Sequence, residues 1–292
     1  MMPDKIQKLI LGTVQFGLDY GINNPAGKPR ESEVEKILVR AYESGIRCLD
    51  TAEAYGTAHR IIGNFHIKYP DIRFDIITKI PGNFHGSITT KIESYLKELN
   101  VESLKGFLFH SFESYQLNKD EIVKLSALKA KGHIESIGVS AYTNLQIEEI
   151  LQDEFIDIIQ LPFNLLDNIN LRGEMLSKIN DSGKIVHTRS AFLQGLFFVE
   201  SDNDNKIARS LKSELDYLKK VAIGNGISMQ KLAINYCLQQ PLIQNVLIGV
   251  DNLDQLTQNL SDASYLLPSS LINQIDKIKV KQIDLLNPSL WN

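Results

Sequence analysis

The sequence predicts an α/β fold, a (β/α)8 TIM barrel forming a single domain over 1–292, with a C-terminal extension helix and tail over 268–292 within it. Three observations predict it. Eight short apolar runs recur along the chain, rich in Ile, Val and Leu without clean alternation, as in parallel strands buried on both faces. A longer stretch with helical spacing follows most of them, and composition shows no internal break. A doubly wound open sheet is the competing architecture, but it announces a glycine-rich turn after its first strand. Here that turn reads LGTVQFGLDYG, which is not G-x-G-x-x-G.

The strand candidates are KLILGT (8–13), IRCLD (46–50), FDIITK (74–79), GFLFH (106–110), IESIGVS (134–140), DIIQL (157–161), KIVHTR (184–189) and NVLIGV (245–250). Between the first two lies ESEVEKILVRAYESG (31–45), which puts Val34, Ile37, Leu38 and Ala41 on one helical face and Gly45 at its stop. Helical spacing returns over 87–100, 119–132, 144–152, 171–183, 210–226, 228–240 and 251–263. Asn144 and Ser228 suit N-caps, and Gly224–Gly226 reads as a turn. The polar segment 200–210 reads as a mobile loop, and an amphipathic stretch over 268–283 follows the eighth strand.

With 292 residues, 43% of them hydrophobic and 23% charged, the chain can bury a full core. A net charge of -4 leaves no electrostatic footprint for nucleic acid or an anionic membrane. Cys48 and Cys237 sit in apolar patterns outside any C-x-x-C, as reduced buried thiols do. The start, MMPDKIQKLILG, has no signal-peptide core, and no stretch reaches the ~18 apolar residues of a membrane span. A cytoplasmic monomer or small homo-oligomer is expected. No metal site is expected, because the six histidines include no H-x-H at the end of strand one.

Barrels of this kind carry their chemistry at the C-terminal ends of the strands. There stand Asp50 with nearby Tyr55, then Lys79, His110, Ser140, Gln160, Arg189 with Ser190, and Gly249. Taken singly, each has an ordinary reading: an N-cap, a solvated lysine, a packing tyrosine, a core histidine. Together, on neighbouring strands ~5 Å apart, Asp50, Tyr55, Lys79 and His110 can converge. A phenol with an ordinary pKa near 10 needs help to exchange protons at neutral pH. The Lys79 ammonium can lower that pKa, with Asp50 holding the ammonium in place. His110 can orient a carbonyl oxygen. Such a cluster supplies a proton but no electrons, so a hydride carrier is implied.

These residues resemble the aldo-keto reductase family. LDTAEAYGTAHRIIG (49–63) resembles its D-T-A-x-x-Y-G signature, IITKIP (76–81) its T-K strand end and GFLFHSF (106–112) its catalytic-histidine strand. LGTVQFGLDYG (11–21), IGVSAYT (137–143), IIQLPFNLLD (158–167) and RSAFLQGLF (189–197) are similar to its first strand and later cofactor-facing segments. The resemblance implies an NAD(P)-dependent oxidoreductase reducing a small aldehyde or ketone, with Tyr55 as general acid, Lys79 and Asp50 as its tuning pair and His110 as orienter. It implies that Ser140 and Gln160 hold the nicotinamide carboxamide, with Thr13 and Gln15 near the nicotinamide ribose and Asp50, Arg189 and Ser190 also among the cofactor-binding residues. Gly249 to Asp251, Gln255 and Asn259 would hold the adenosine end.

Four positions depart from the family pattern. Ala141 stands in place of an Asn, Arg189 in place of the aromatic that stacks on the nicotinamide, His59 in place of a Glu, and Asp251 in place of a Lys or Arg. A guanidinium beside a cationic ring repels it, so Arg189 is also a candidate to meet an anionic group of the substrate. A carboxylate at 251 disfavours a 2′-phosphate, so the cofactor is NADP(H) or NAD(H), with less preference for NADPH than the family usually shows. The strand-end residues point to a polar, sugar-like or anionic carbonyl compound. The tail DLLNPSLWN, with Trp291, is expected over the pocket. Rival readings are a dinucleotide-binding sensor with little turnover, a Schiff-base aldolase using Lys79 and a metal-dependent hydrolase.

Overall fold

The computed structural model describes residues 5–24, 26–199 and 204–291. Eight parallel strands close into a barrel in chain order: β1 (Leu9–Gly12), β2 (Cys48–Asp50), β3 (Asp75–Ile80), β4 (Gly106–Phe109), β5 (Ile137–Ser140), β6 (Ile158–Pro162), β7 (Ile185–Arg189) and β8 (Asn245–Ile248). The closing pair sets Leu9, Ile10 and Leu11 opposite Val246, Leu247 and Ile248. After β1 come the single turn α1 (Val14–Gly17) and α2 (Glu31–Glu43); α3 (Ala58–Lys68) follows β2 and α4 (Ile88–Leu99) follows β3. Next are α5 (Phe112–Leu117), α6 (Ile122–Ala130), α7 (Asn144–Ile150) and α8 (Ile169–Asp181). Then α9 (Lys206–Ser210), α10 (Lys212–Gly224) and α11 (Met229–Leu238) follow β7, and α12 (Leu253–Ala263) and α13 (Ser269–Ile275) follow β8. The predicted TIM barrel is the fold observed.

Side chains alternate along each strand, so two cores form. Between strands and helices, residues such as Leu11, Leu49, Ile76, Phe107, Val139, Ile159, Val186 and Val246 are buried in one continuous cluster. Its partner on α2 is the face expected from the spacing: Val34, Ile37, Leu38 and Ala41 are all buried. Inside the barrel, Ile10, Ile77, Leu108, Ile158 and Leu247 form a separate cluster, with Cys48 against it. This cluster is the floor on which the strand-end residues stand.

Several elements differ from expectation. The spacing gave no helix over 58–68, yet α3 forms there. Its buried side includes His59 and His66, which an apolar count does not register; their ring nitrogens are satisfied by Thr78 Oγ1 and the Leu99 carbonyl, each at 2.8 Å. The cap of α7 is Thr143, not Asn144, because Thr143 and Gln146 close a reciprocal capping box. Ser228 caps α11 as expected, accepting from the Lys231 N–H. Of the polar segment 200–210, residues 200–203 lie outside the described residues, and 206–210 form α9 rather than a loop. The helix expected over 268–283 stops at Ile275, where Asn168 Nδ2 donates to the carbonyls of Ile275 and Ile278 at 2.9 and 3.1 Å. Among the described residues, no helix is long and apolar enough to cross a membrane.

Candidate active site

The strand periodicity that buries the floor also builds the site. Two residues beyond Cys48, Ile77, Leu108 and Ile158 come Asp50, Lys79, His110 and Gln160, directed into the lumen one layer higher. They line a cavity of about 460 Å³ at the C-terminal mouth of the barrel. All the candidate catalytic and cofactor-binding residues named from the sequence line it: Thr13, Gln15, Asp50, Tyr55, Lys79, His110, Ser140, Gln160, Arg189, Ser190, Gly249, Asp251, Gln255 and Asn259.

At its centre, Lys79 and Asp50 are buried and paired, Nζ donating to Asp50 Oδ1 and, at 3.2 Å, to the Thr51 carbonyl. The second Asp50 oxygen accepts from Gln160 Nε2 at 2.9 Å. Burial pulls the Lys79 ammonium below its ordinary pKa, and Asp50 opposes that shift. Thr13 Oγ1 donates to the Asp50 backbone carbonyl at 3.0 Å, joining β1 to β2.

Tyr55 lies on the loop between β2 and α3, and that loop is tied at both ends. Glu53 in the same loop accepts from Lys91 Nζ at 2.6 Å and from the Tyr95 hydroxyl, both on α4. The loop presses so closely on α1 that a Cβ at Gly17 would fall 1.6 Å from the Tyr55 carbonyl oxygen, so only glycine fits there. The Tyr55 ring meets His110 edge to face with centroids 5.5 Å apart, and Lys79 Nζ lies 5.3 Å from its centre.

The electrostatics correct one expectation. The Tyr55 phenol is not drawn down by Lys79: burial pushes its pKa well above the ordinary value, the Asp50 carboxylate adds to this, and Arg189 is the cation that opposes it. Lys79 is already neutralised by its carboxylate. His110 is pulled down to about 3 by burial and by the positive charges of Lys79 and Arg189, so its imidazole is neutral at physiological pH.

Arg189 closes the opposite wall. Its guanidinium carbon sits 4.0 Å over the Tyr142 ring, and Nε donates to Ser140 Oγ at 3.3 Å. Tyr20 reaches the same end, its hydroxyl accepting from Gln194 Nε2 at 2.9 Å. Its phenol is raised by burial and also feels Tyr55, Arg189 and Tyr142. Tyr20, Tyr142 and Gln194, together with Phe192 and Phe198, are lining residues that the sequence reading missed. The signal available was position alone: all lie within about ten residues beyond strands one, five and seven.

At the outer end, Asp251 accepts from Gln255 Nε2 at 3.0 Å while its backbone N–H donates to Gln255 Oε1 at 2.8 Å. Burial raises the Asp251 carboxyl, and hydrogen bonds from Gln255 and Gln15 counter it. Asn259 Oδ1 accepts from Gln230 Nε2 at 2.6 Å. Gly249 leaves room for the Gln15 amide, since a Cβ there would lie 2.5 Å from Gln15 Nε2. Two buried oxygens of the lining, Gln15 Oε1 and Gln160 Oε1, have no hydrogen-bond partner.

The tail does not cover the pocket. No residue of 284–291 lines the cavity, and Trp291 packs against the barrel's outer core with its indole N–H donating to the Leu285 carbonyl at 3.0 Å. An indole buries most cheaply where its N–H finds an acceptor, and the tail supplies its own. His59, at the signature position, lies outside the cavity, buried against Tyr95 and Thr78.

Comparison with known proteins agrees with this geometry. The model of the aldo/keto reductase family matches residues 8–280. The oxidoreductase YqkF of Bacillus subtilis (strain 168) is 26% identical over 285 residues, covering 89% of this chain and 92% of its own. The holo form of the aldo-keto reductase AKR11C1 from Bacillus halodurans superposes with a TM-score of 0.73 at 20% identity, over 94% of each chain. PA4992 from Pseudomonas aeruginosa gives a TM-score of 0.64 at 22% identity, over 88% of this chain and 89% of its own. At those identities the two structures speak to the fold alone.

Proposed function

The chain belongs to the aldo/keto reductase family, and on that premise we propose that it reduces a small aldehyde or ketone to an alcohol, with Tyr55 as the proton donor. The family is one of carbonyl oxidoreduction; the residue roles are our reading. One observation carries it: a phenol, an ammonium–carboxylate pair and a neutral imidazole converge on one cavity at the catalytic end of the barrel.

The lining fits a dinucleotide. Gln15 Oε1 and Gln160 Oε1 are buried acceptors without donors, as expected of a surface shaped for a polar ligand. Gln160, Ser140, Thr13 and Gln15 would hold the nicotinamide end, and Gly249, Asp251, Gln255 and Asn259 the adenosine end. Such a cofactor supplies hydride when bound.

The chain's own groups handle the proton. Because burial and Asp50 keep the Tyr55 phenol protonated, it enters the reaction as an acid rather than as a phenolate. Its proton goes to the carbonyl oxygen as that oxygen gains charge. The phenolate left behind faces Arg189, the cation that opposes the upward shift, and that charge stabilises it only once it forms, which is the differential stabilisation catalysis needs. Neutral His110 hydrogen-bonds the same oxygen and fixes its direction toward Tyr55.

Lys79 and Arg189 are the only lysine or arginine among the described lining residues, and Asp251 stands at the other end. No cation there awaits a 2′-phosphate, so NADH and NADPH should bind with similar affinity. The test is a panel of aldehydes, ketones and sugars assayed with both reduced dinucleotides, alongside Tyr55→Phe and fluorescence titration of each dinucleotide. The variant should lose about 10²- to 10⁴-fold in turnover while keeping dinucleotide affinity. Undiminished turnover would remove Tyr55 from the mechanism, and tight NADPH binding without NADH binding would refute the argument from Asp251.

A further inference from the structure

Two arginines of this barrel stand in opposite circumstances. Arg172 is buried and saturated: Nε and Nη2 grip Asp167 at 2.5 and 2.8 Å, Nη1 donates to Asn144 Oδ1 at 2.8 Å, and Nη2 also donates to the Tyr142 carbonyl at 2.7 Å. Arg189 has only long contacts to neutral oxygens: Ser140 Oγ at 3.3 Å, Ser190 Oγ at 3.5 Å and the Ala141 carbonyl at 3.4 Å. Charge-assisted hydrogen bonds run nearer ~2.8 Å, so these three leave the guanidinium undersatisfied. Among the described residues it forms no ion pair.

The surrounding charges cannot supply a partner. Asp50 is committed to Lys79 and Gln160, and Asp167 to Arg172. His110 is neutral. The inner end of the cavity therefore carries one uncompensated positive charge, fixed in orientation by the Tyr142 ring beneath it. A cation held in a partly dry wall without a counter-ion is costly, and a ligand anion would remove that cost. The guanidinium fork matches a planar carboxylate or a phosphate with two parallel hydrogen bonds. Arg189 and Tyr55 line the same cavity of about 460 Å³, so the anion and the reacting carbonyl fit on one small molecule.

We propose that Arg189 is the anchor for an anionic group on the substrate, so that the preferred substrate is a carbonyl compound bearing a carboxylate or phosphate. This rests on the reading of the cavity as a carbonyl reductase site. Ser140 and Ser190 hold the fork, and the Ser190 hydroxyl adds a donor to the same anion.

The experiment uses matched pairs: 4-oxobutanoate against its methyl ester, and glyceraldehyde 3-phosphate against glyceraldehyde. The wild type should favour the charged member of at least one pair, and which pair shows it separates carboxylate from phosphate. Arg189→Gln should cut kcat/KM for that charged member by about 10- to 150-fold, the range for a hydrogen bond to a charged group. The neutral members should fall as well, because the guanidinium also steadies the Tyr55 phenolate, but in lesser measure, so that the preference for the charged member over its neutral partner drops about 10-fold or more. Arg189→Lys, which keeps the charge but not the fork, should fall between.

Calorimetric titration of 4-hydroxybutanoate and of glycerol 3-phosphate into the protein, with and without oxidised dinucleotide, gives a reading that does not depend on turnover. One of the two should bind the wild type and be lost in Arg189→Gln. If no carbonyl is turned over while that anion still binds through Arg189, the function proposed above fails and the anion site stands. If neither anion binds the wild type, or if both variants lose dinucleotide affinity while the charged and neutral carbonyls fall together, the guanidinium serves the dinucleotide and the inference is overturned.

Discussion

Ile77 and Lys79, Leu108 and His110, Ile158 and Gln160 are pairs two residues apart on one strand, and both members of each pair face the lumen. The lower members make a dry floor; the upper members make a charged and hydrogen-bonded site. The floor is what gives the upper layer its strength. With Ile77, Leu108 and Ile158 excluding water from below, charges above them interact in a low effective dielectric. The consequences are visible in the Tyr55 phenol held protonated and in the His110 imidazole held neutral. The same dryness makes each upper residue dependent on its partner, whereas a floor residue depends only on shape.

The largest effect should come from breaking that dependence. Asp50→Asn leaves the Lys79 ammonium buried with the Thr51 carbonyl and a neutral amide. Removing one partner of a buried ion pair costs about 3–5 kcal/mol, which urea denaturation would show as a lower midpoint at unchanged slope. Replacing both members, as in Asp50→Leu with Lys79→Met, should recover most of the loss, because apolar residues then continue the floor upward. A single variant as stable as the wild type would mean that water reaches the pair and that the layers are not electrostatically distinct.

The floor was legible in the sequence as apolar runs, and the upper layer as polar residues at the ends of those runs. Strand periodicity links the two, so all the strand-end residues could be named before the fold was seen. Residues beyond the strands were not legible in that way. Tyr20, Tyr142 and Gln194 reach the cavity through loop paths, and no local pattern encodes a loop path. The direction of the Tyr55 shift was misread for a related reason. Lys79 next to a tyrosine suggests a lowered pKa, but the carboxylate that cancels Lys79 acts through distances that sequence does not give. Helix α3 was missed because His59 and His66 are buried like apolar residues.

One floor position breaks the pattern and sharpens the comparison. His187 stands two residues before Arg189, buried, with Nδ1 lacking a hydrogen-bond partner. Burial and the positive charge of Lys79 pull its pKa down to about 4, against about 6.5 in an unfolded chain. Between those values the unfolded chain binds the proton and the folded one does not. Its contribution to stability is therefore complete above about pH 6.5 and is lost as pH falls toward 4. The full swing is on the order of 3 kcal/mol. His187→Leu should make the urea midpoint less sensitive over that window than in the wild type. Identical profiles would mean that His187 protonates as freely in the fold as outside it, and that the floor is wet.

The smallest effect on stability and the most selective effect on binding should come at Gly249, two residues beyond the floor residue Leu247. A methyl group there meets the end of the Gln15 side chain, 2.5 Å from Nε2, and not backbone. A flexible side chain can step aside, so Gly249→Ala should change stability by less than about 1 kcal/mol. The displaced amide is the one that also hydrogen-bonds Asp251 and presents an unpartnered oxygen to the cavity. Moving it costs the site about one hydrogen bond, so dinucleotide affinity should fall about fivefold by fluorescence titration. In the floor the same added volume would be felt as strain throughout the barrel; in the upper layer it is felt by the ligand. Equal losses of stability and affinity would show that Gln15 is part of the scaffold and not of the binding surface.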